Sequence, residues 1–242
     1  MKNFLFRCYK LIERVVVFLA ILIWAIVDNA GLNDVLNKDF GISVLYILWA
    51  VFIVEMVIRM LPTKDIGVSK IYKKHFKPTQ KHTQPLHKLV QKDNLRVAVM
   101  VILYLTILVT IGVLYVFNII NSAMVLLIVL LFWVLSEVCV QIFCPFSYLF
   151  LGRVCCNKCR FYSWDYAMIL LPLIYIFSVE TIIVVGVSIV LLILWEVMYK
   201  KYPQRFYEDT NENLKCASCT NKNCLYKEKI NRIIDKILRK TE

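Results

Sequence analysis

YAMILLPLIYIFSVETIIVVGVSIVLLILWEVMY, residues 166–199, is a run of 34 residues with no basic side chain, interrupted by Pro172 and Glu180. A hydrocarbon core of ~30 Å takes about 20 helical residues to cross, so the run is too long for one ordinary span and barely enough for two. Two short crossings, near 164–180 and 182–199, are the expected reading. A single crossing would export the eleven Lys and Arg residues of 200–242, against the tendency of basic segments to stay cytosolic. Local bilayer thinning or incomplete penetration accommodates the short length.

A hairpin here returns both of its flanks to one face, and both flanks are rich in cysteine. Before it lies CPFSYLFLGRVCCNKC, Cys144 to Cys159, and beyond it lies CASCTNKNC, Cys216 to Cys224. Two CxxC pairs, Cys156 with Cys159 and Cys216 with Cys219, supply the four thiolates of a tetrahedral metal site. The 56 residues between the pairs are more than an ordinary zinc ribbon uses, the membrane hairpin standing in for the usual short insert. Zinc is the favoured ion, because it accepts four thiolates, needs no redox partner, and closed four-cysteine sites are structural. An iron-sulfur cluster of the 4Fe-4S type is the alternative, with Cys144, Cys155 and Cys224 as spare ligands, although the spacing CxxCxxxxC at Cys216, Cys219 and Cys224 differs from the bacterial ferredoxin run.

Composition agrees with a membrane chain. Of 242 residues, 60% are hydrophobic, and only 6 are glycine and 6 proline. The formal net charge of +12 does not point to nucleic acid, since the basic residues lie between apolar runs instead of on a soluble domain. Further spans are expected near 13–29, 42–60, 97–117 and 122–143, giving an all-α protein of six transmembrane helices arranged as three hairpins. With both termini cytosolic, 28 of the 29 Lys and Arg residues fall on the cytosolic side, Lys38 being the exception. The expected organisation is a transmembrane domain over 1–202, which includes the cysteine-rich cytosolic loop 144–163, followed by a cytosolic tail over 203–242. Seven of the nine cysteines then lie in cytosolic segments, apart from Cys8 and Cys139, which suits metal ligands or free thiols better than disulfides.

At the N-terminus, Phe4, Leu5, Cys8, Leu11, Ile12 and Val15 share helical spacing against Lys2, Arg7, Lys10 and Arg14, predicting an interfacial amphipathic helix that runs into the first span. A cleavable signal peptide is disfavoured, because Asp28 would occupy a position that needs a small residue. A second amphipathic helix is expected in the tail, with Ile230, Ile233, Ile234 and Ile237 opposite Lys229, Arg232 and Lys236. The loop 63–96 holds His75, His82 and His87 at spacings that match no compact zinc pattern, while its lysines suit anionic lipid headgroups.

Three glutamates lie near the ends of helices that return to the cytosol: Glu55, Glu137 and Glu196. Each precedes a long polar side chain by four residues (Arg59, Gln141, Lys200), which puts the two on one helix face. Structural pairing is the bland reading. An intramembrane ring serving a small ion-coupled transporter is the sharper one, since ionisable groups inside spans often mark ion paths. No catalytic constellation such as HExxH is present, so an enzyme is not the favoured class. The expected role is a scaffold of the cytoplasmic membrane that docks an unidentified cytosolic protein through its metal module, with iron-sulfur electron transfer and transport as alternatives.

Overall fold

The computed structural model describes residues 2–37, 45–60, 71, 73–79, 85–149, 160 and 164–215. Among these the chain is helical, and the one strand-like pairing is an isolated antiparallel bridge between Pro78 and Asn211. The helices are α1 (Lys2–Val27), α2 (Asn29–Asn37), α3 (Leu45–Met60), α4 (Leu86–Val116), α5 (Ser122–Gln141), α6 (Pro145–Leu149), α7 (Asp165–Leu170) and α8 (Val179–Lys201). A 3-10 turn, Leu171–Tyr175, prolongs α7.

Three of these, α4, α5 and α8, are long and apolar enough to cross a membrane, and α1 with α2 makes a fourth if the pair, bent by 113°, is counted as one span. The bend has a local cause. The Asp28 side chain accepts from the Gly31 amide at 2.8 Å, so α1 ends and a newly capped helix begins. Two of the six expected spans are short helices. At 1.5 Å per residue α3 is about 24 Å long, and α7 with its 3-10 extension is about 19 Å. Pro172 accounts for the second: it has no N–H to continue the ladder, and the helix tightens one residue before it.

The backbone groups freed by this break are satisfied locally, as an apolar medium demands. Ser178 and Thr181 form a capping box at the start of α8, and the Thr181 hydroxyl donates to the carbonyl of Ile176 at 2.6 Å. The α4–α5 hairpin turns through Asn118 at φ 54°, a left-handed conformation that asparagine tolerates better than most residues, and Asn121 caps α5 by accepting from the Met124 amide.

Helix α5 is the centre of the bundle. Helix α1 packs along it antiparallel, α7 and the 3-10 turn lie against it, and α8 packs on α3 and α7. The core between them includes Phe52, Met56, Leu126, Leu130, Leu170 and Leu173, all fully buried. Helix α4 touches this core chiefly through the 3-10 turn: Tyr175 donates to the Leu108 carbonyl at 3.0 Å, and its ring lies where a side chain on Gly112 would begin. A methyl group at Gly112 would sit 2.5–2.8 Å from that ring. Gly112→Ala is therefore expected to cost about 1–3 kcal/mol in thermal unfolding of the detergent-solubilised protein. In a Tyr175→Leu background the same alanine should cost markedly less, and additive effects would show that the close approach is unimportant.

Candidate functional site

Polar residues collect in two layers at opposite ends of the apolar core. At one end the Asn121 amide donates to Asn29 Oδ1 at 2.7 Å, Asn33 Oδ1 accepts from the Ala123 amide at 2.9 Å, and Tyr46 donates to Glu180 at 3.0 Å. At the other end lie Arg14, Glu55, Glu137 and Glu196. The helical separations Asn121 to Glu137 along α5 and Glu180 to Glu196 along α8 each come to about 24 Å. Two helices thus agree on one depth for the charged layer, some 6 Å inside the far edge of a ~30 Å hydrocarbon core if the asparagine layer marks the near edge.

The charged layer holds two clusters. In the first, Arg14 is 2% exposed and sits between α3 and α5. Its Nη1 donates to the Trp133 carbonyl at 2.9 Å and to Ser136 Oγ at 3.0 Å, and its Nη2 meets both oxygens of Glu55 at 3.3 and 3.1 Å. Glu137 Oε2 lies 3.5 Å from the same guanidinium, which also stands over the Trp133 ring. Glu55 is further bound by Trp133 Nε1 at 3.2 Å and by the Tyr166 hydroxyl. Lys10, 3.9 Å from Glu55, brings the cluster to two cations and two carboxylates.

In the second cluster Arg160 grips Glu196 through Nε at 3.0 Å and through Nη2, and its Nη1 donates to Asn94 Oδ1 at 2.6 Å on α4. Its guanidinium stacks 3.7 Å above the Tyr199 ring, and Trp164 Nε1 donates to Glu196 Oε1 at 2.8 Å. Burial alone would lower the Arg160 pKa, but the hydrogen bonds and charge of Glu196 outweigh it and hold the group above its ordinary value, firmly protonated. Tyr207, beyond α8, shares a hydroxyl hydrogen bond with Tyr199 and donates to Asp93. Burial, that hydrogen bond and the Asp93 charge all push its phenol up, so it stays neutral.

The three glutamates read from the sequence thus divide two and one. Glu55 and Glu137 meet on Arg14, and Glu196 belongs to Arg160. The i to i+4 pairing is found for Glu137, whose Oε1 accepts from Gln141 at 2.7 Å. The guanidiniums that reach Glu55 and Glu196 come from 41 and 36 residues away. Arg14, expected on the solvated face of an interfacial helix, is the buried charged residue that sequence reasoning misplaced. The available signal was its adjacency to the apolar run 15–27 together with a lone carboxylate, Glu55, at matching depth in α3.

Of the expected metal ligands and spares, Cys155, Cys156, Cys159, Cys216, Cys219 and Cys224 lie outside the described residues. Cys144 is half-buried before α6, and Cys139 is half-buried in α5. Among the described residues no three His, Cys, Asp or Glu side chains are placed to hold a metal ion. His82 also lies outside the described residues, and His75 is half-buried beside the tail, its carbonyl accepting from Asn213.

The chain next to the cysteine segments is well anchored. Beyond α8, residues 202–215 fold back so that Phe206 packs edge-on against Trp195 and Tyr199 at 5.2 and 5.0 Å. Leu214 and Ile71 complete this cluster, and Trp164 packs against it. Asn211, fully buried, donates to the Arg205 carbonyl at 3.0 Å and accepts from the Lys77 amide at 3.4 Å, while Thr79 N and Glu212 N bond the opposing strands of chain. The tail is thereby tied to the basic loop.

The first cluster is charge-balanced and saturated with donors, the arrangement that makes a buried ion pair tolerable. Arg14→Met is expected to destabilise the protein by about 3–5 kcal/mol, because it strands two buried carboxylates. Adding Glu55→Gln and Glu137→Gln should recover most of that loss. Unfolding in mixed micelles measures both, and a single-variant cost below about 1 kcal/mol would contradict the assigned role.

No protein-family model matches the chain, and neither curated proteins nor solved structures yield a significant relative.

Proposed function

We propose that this is a polytopic protein of the cytoplasmic membrane, with both termini in the cytosol, whose cytosolic surface is organised by a zinc ion on Cys156, Cys159, Cys216 and Cys219 and serves to dock a cytosolic protein partner. The observation that carries this reading is the convergence of the two stems. Arg160, next to Cys159, stacks on Tyr199, and Leu214, two residues before Cys216, is buried in the cluster of Trp195, Tyr199 and Phe206. Cys156 lies four residues from Arg160 and Cys219 five from Leu214, reaches of about 14 and 17 Å at full extension. Four thiolates within that reach suit a closed tetrahedral site, which contributes folding energy and staples tail to loop. Two short helices, 45–60 and 165–175, complete three hairpins if the bilayer thins around them, and this arrangement keeps residues 160 and 215 on one side.

The saturated surroundings of Glu55 favour a structural over a transporting role for the glutamates, since a carboxylate already holding Arg14, Trp133 and Tyr166 has little capacity left for a passing ion. Anaerobic purification followed by metal analysis tests the docking-module reading. One zinc per chain, colourless and lost on combined Cys156→Ser and Cys216→Ser substitution, is the expected result. Iron with acid-labile sulfide would move the assignment to electron transfer, and metal-free protein would overturn both. Thiol-labelling of single-cysteine variants at 156 and 242 from the cytosolic side should modify both, whereas labelling on opposite sides would remove the geometric basis of the site.

A further inference from the structure

The end of α8 and the turn after it carry three cations, Lys200, Lys201 and Arg205, and the last two share one aromatic ring. Lys201 is exposed and Arg205 half-buried, and among the described residues neither makes an ion pair. Both approach a single ring instead: the Arg205 guanidinium stands 3.9 Å from the centre of Tyr202 and the Lys201 ammonium 5.6 Å. Arg205 Nε is shielded from solvent, and among the described residues no acceptor faces its hydrogen. The turn that presents them is rigid. Pro203 opens a 3-10 turn, Arg205 N bonds Tyr202 O at 3.1 Å, Phe206 is locked into the aromatic cluster, and the Arg205 carbonyl is held by Asn211.

Depth tells what would complete this arrangement. From Glu180 in the outer polar layer to Lys201 is 21 residues of unbroken helix, about 32 Å, which sets the pair at the boundary of a ~30 Å hydrocarbon core. Phosphate groups of the lipid lie at that level, and a tyrosine there fits the aromatic belt. We propose that Lys201, Tyr202 and Arg205 form a headgroup site that takes the phosphate of an anionic phospholipid. The guanidinium supplies directed N–H donors, the ammonium adds a point charge, and the tyrosine holds both cations at the correct depth. The site rests on α8 crossing the bilayer and is independent of the cysteine-bound metal.

The test reconstitutes the full-length protein into phosphatidylcholine vesicles with and without phosphatidylglycerol, then solubilises it gently and weighs the retained lipid by native mass spectrometry. The intact protein should retain phosphatidylglycerol over phosphatidylcholine, and inorganic phosphate should not displace it. Lys201→Gln with Arg205→Gln should weaken that retention about thirtyfold, equivalent to about 2 kcal/mol. The control Lys227→Gln with Lys240→Gln, which removes the same amount of charge from the tail, should leave it within a factor of about two, as expected for charges outside the site. Unchanged retention in the first variant, an equal loss in the control, or displacement by inorganic phosphate would each overturn the proposal. Tryptophan fluorescence and unaltered insertion into phosphatidylcholine vesicles establish that the variants fold and that α8 still crosses, so failure of the headgroup site and failure of the membrane reading give different results.

Discussion

Burying a guanidinium inside an apolar bundle imposes the strictest condition on this structure. Arg14 leaves water entirely, and in a medium of low dielectric it is tolerated only where opposite charge and hydrogen-bond acceptors surround it. Helix α3 must bring Glu55, and α5 must bring Glu137, Ser136 and the Trp133 carbonyl, to the same point. A rotation of α1 by one residue would turn the side chain about 100° away from these partners. The pairing of α1 with α5, their antiparallel register and the level of α3 are therefore fixed together by a single side chain.

From this point the polar contacts continue through Tyr166 and Trp164 to Arg160 and the chain beyond α8. Tyr166 reaches Glu55, while Trp164, two residues earlier, reaches Glu196, so the short segment 164–166 joins both charged clusters. Arg160 and the aromatic group around Tyr199 then tie α4, α8 and the returning tail into one unit. The short helix α7 owes its position to these contacts as much as to its apolar surface. With about 19 Å of length it does not need to span the core to hold its neighbours, because its N-terminal end is bonded to charges within the same layer.

Much of this was legible beforehand because it follows from local chemistry. Apolar runs without charges read as membrane helices, three or four of which are long enough to cross, Pro172 reads as an interruption of the run 166–199, and Glu137 with Gln141 reads as a shared face. The aromatic anchoring of the tail was less visible. Phe206 and Leu214 lie in a polar stretch with no periodicity, and their burial depends on Trp195 and Tyr199 presenting a surface that only the folded bundle creates.

The sequence by itself determined that the chain is helical, apolar along most of its length and punctuated at defined positions, since those properties depend on residues within a few positions of one another. The tertiary structure alone decided which charges meet. Arg14 and Glu55, or Arg160 and Glu196, lie too far apart along the chain for spacing to relate them, and the choice among many basic residues is made by helix packing and depth. A buried charge selects its partner by geometry in three dimensions, because desolvation penalises every arrangement in which an opposite charge is not already at hand.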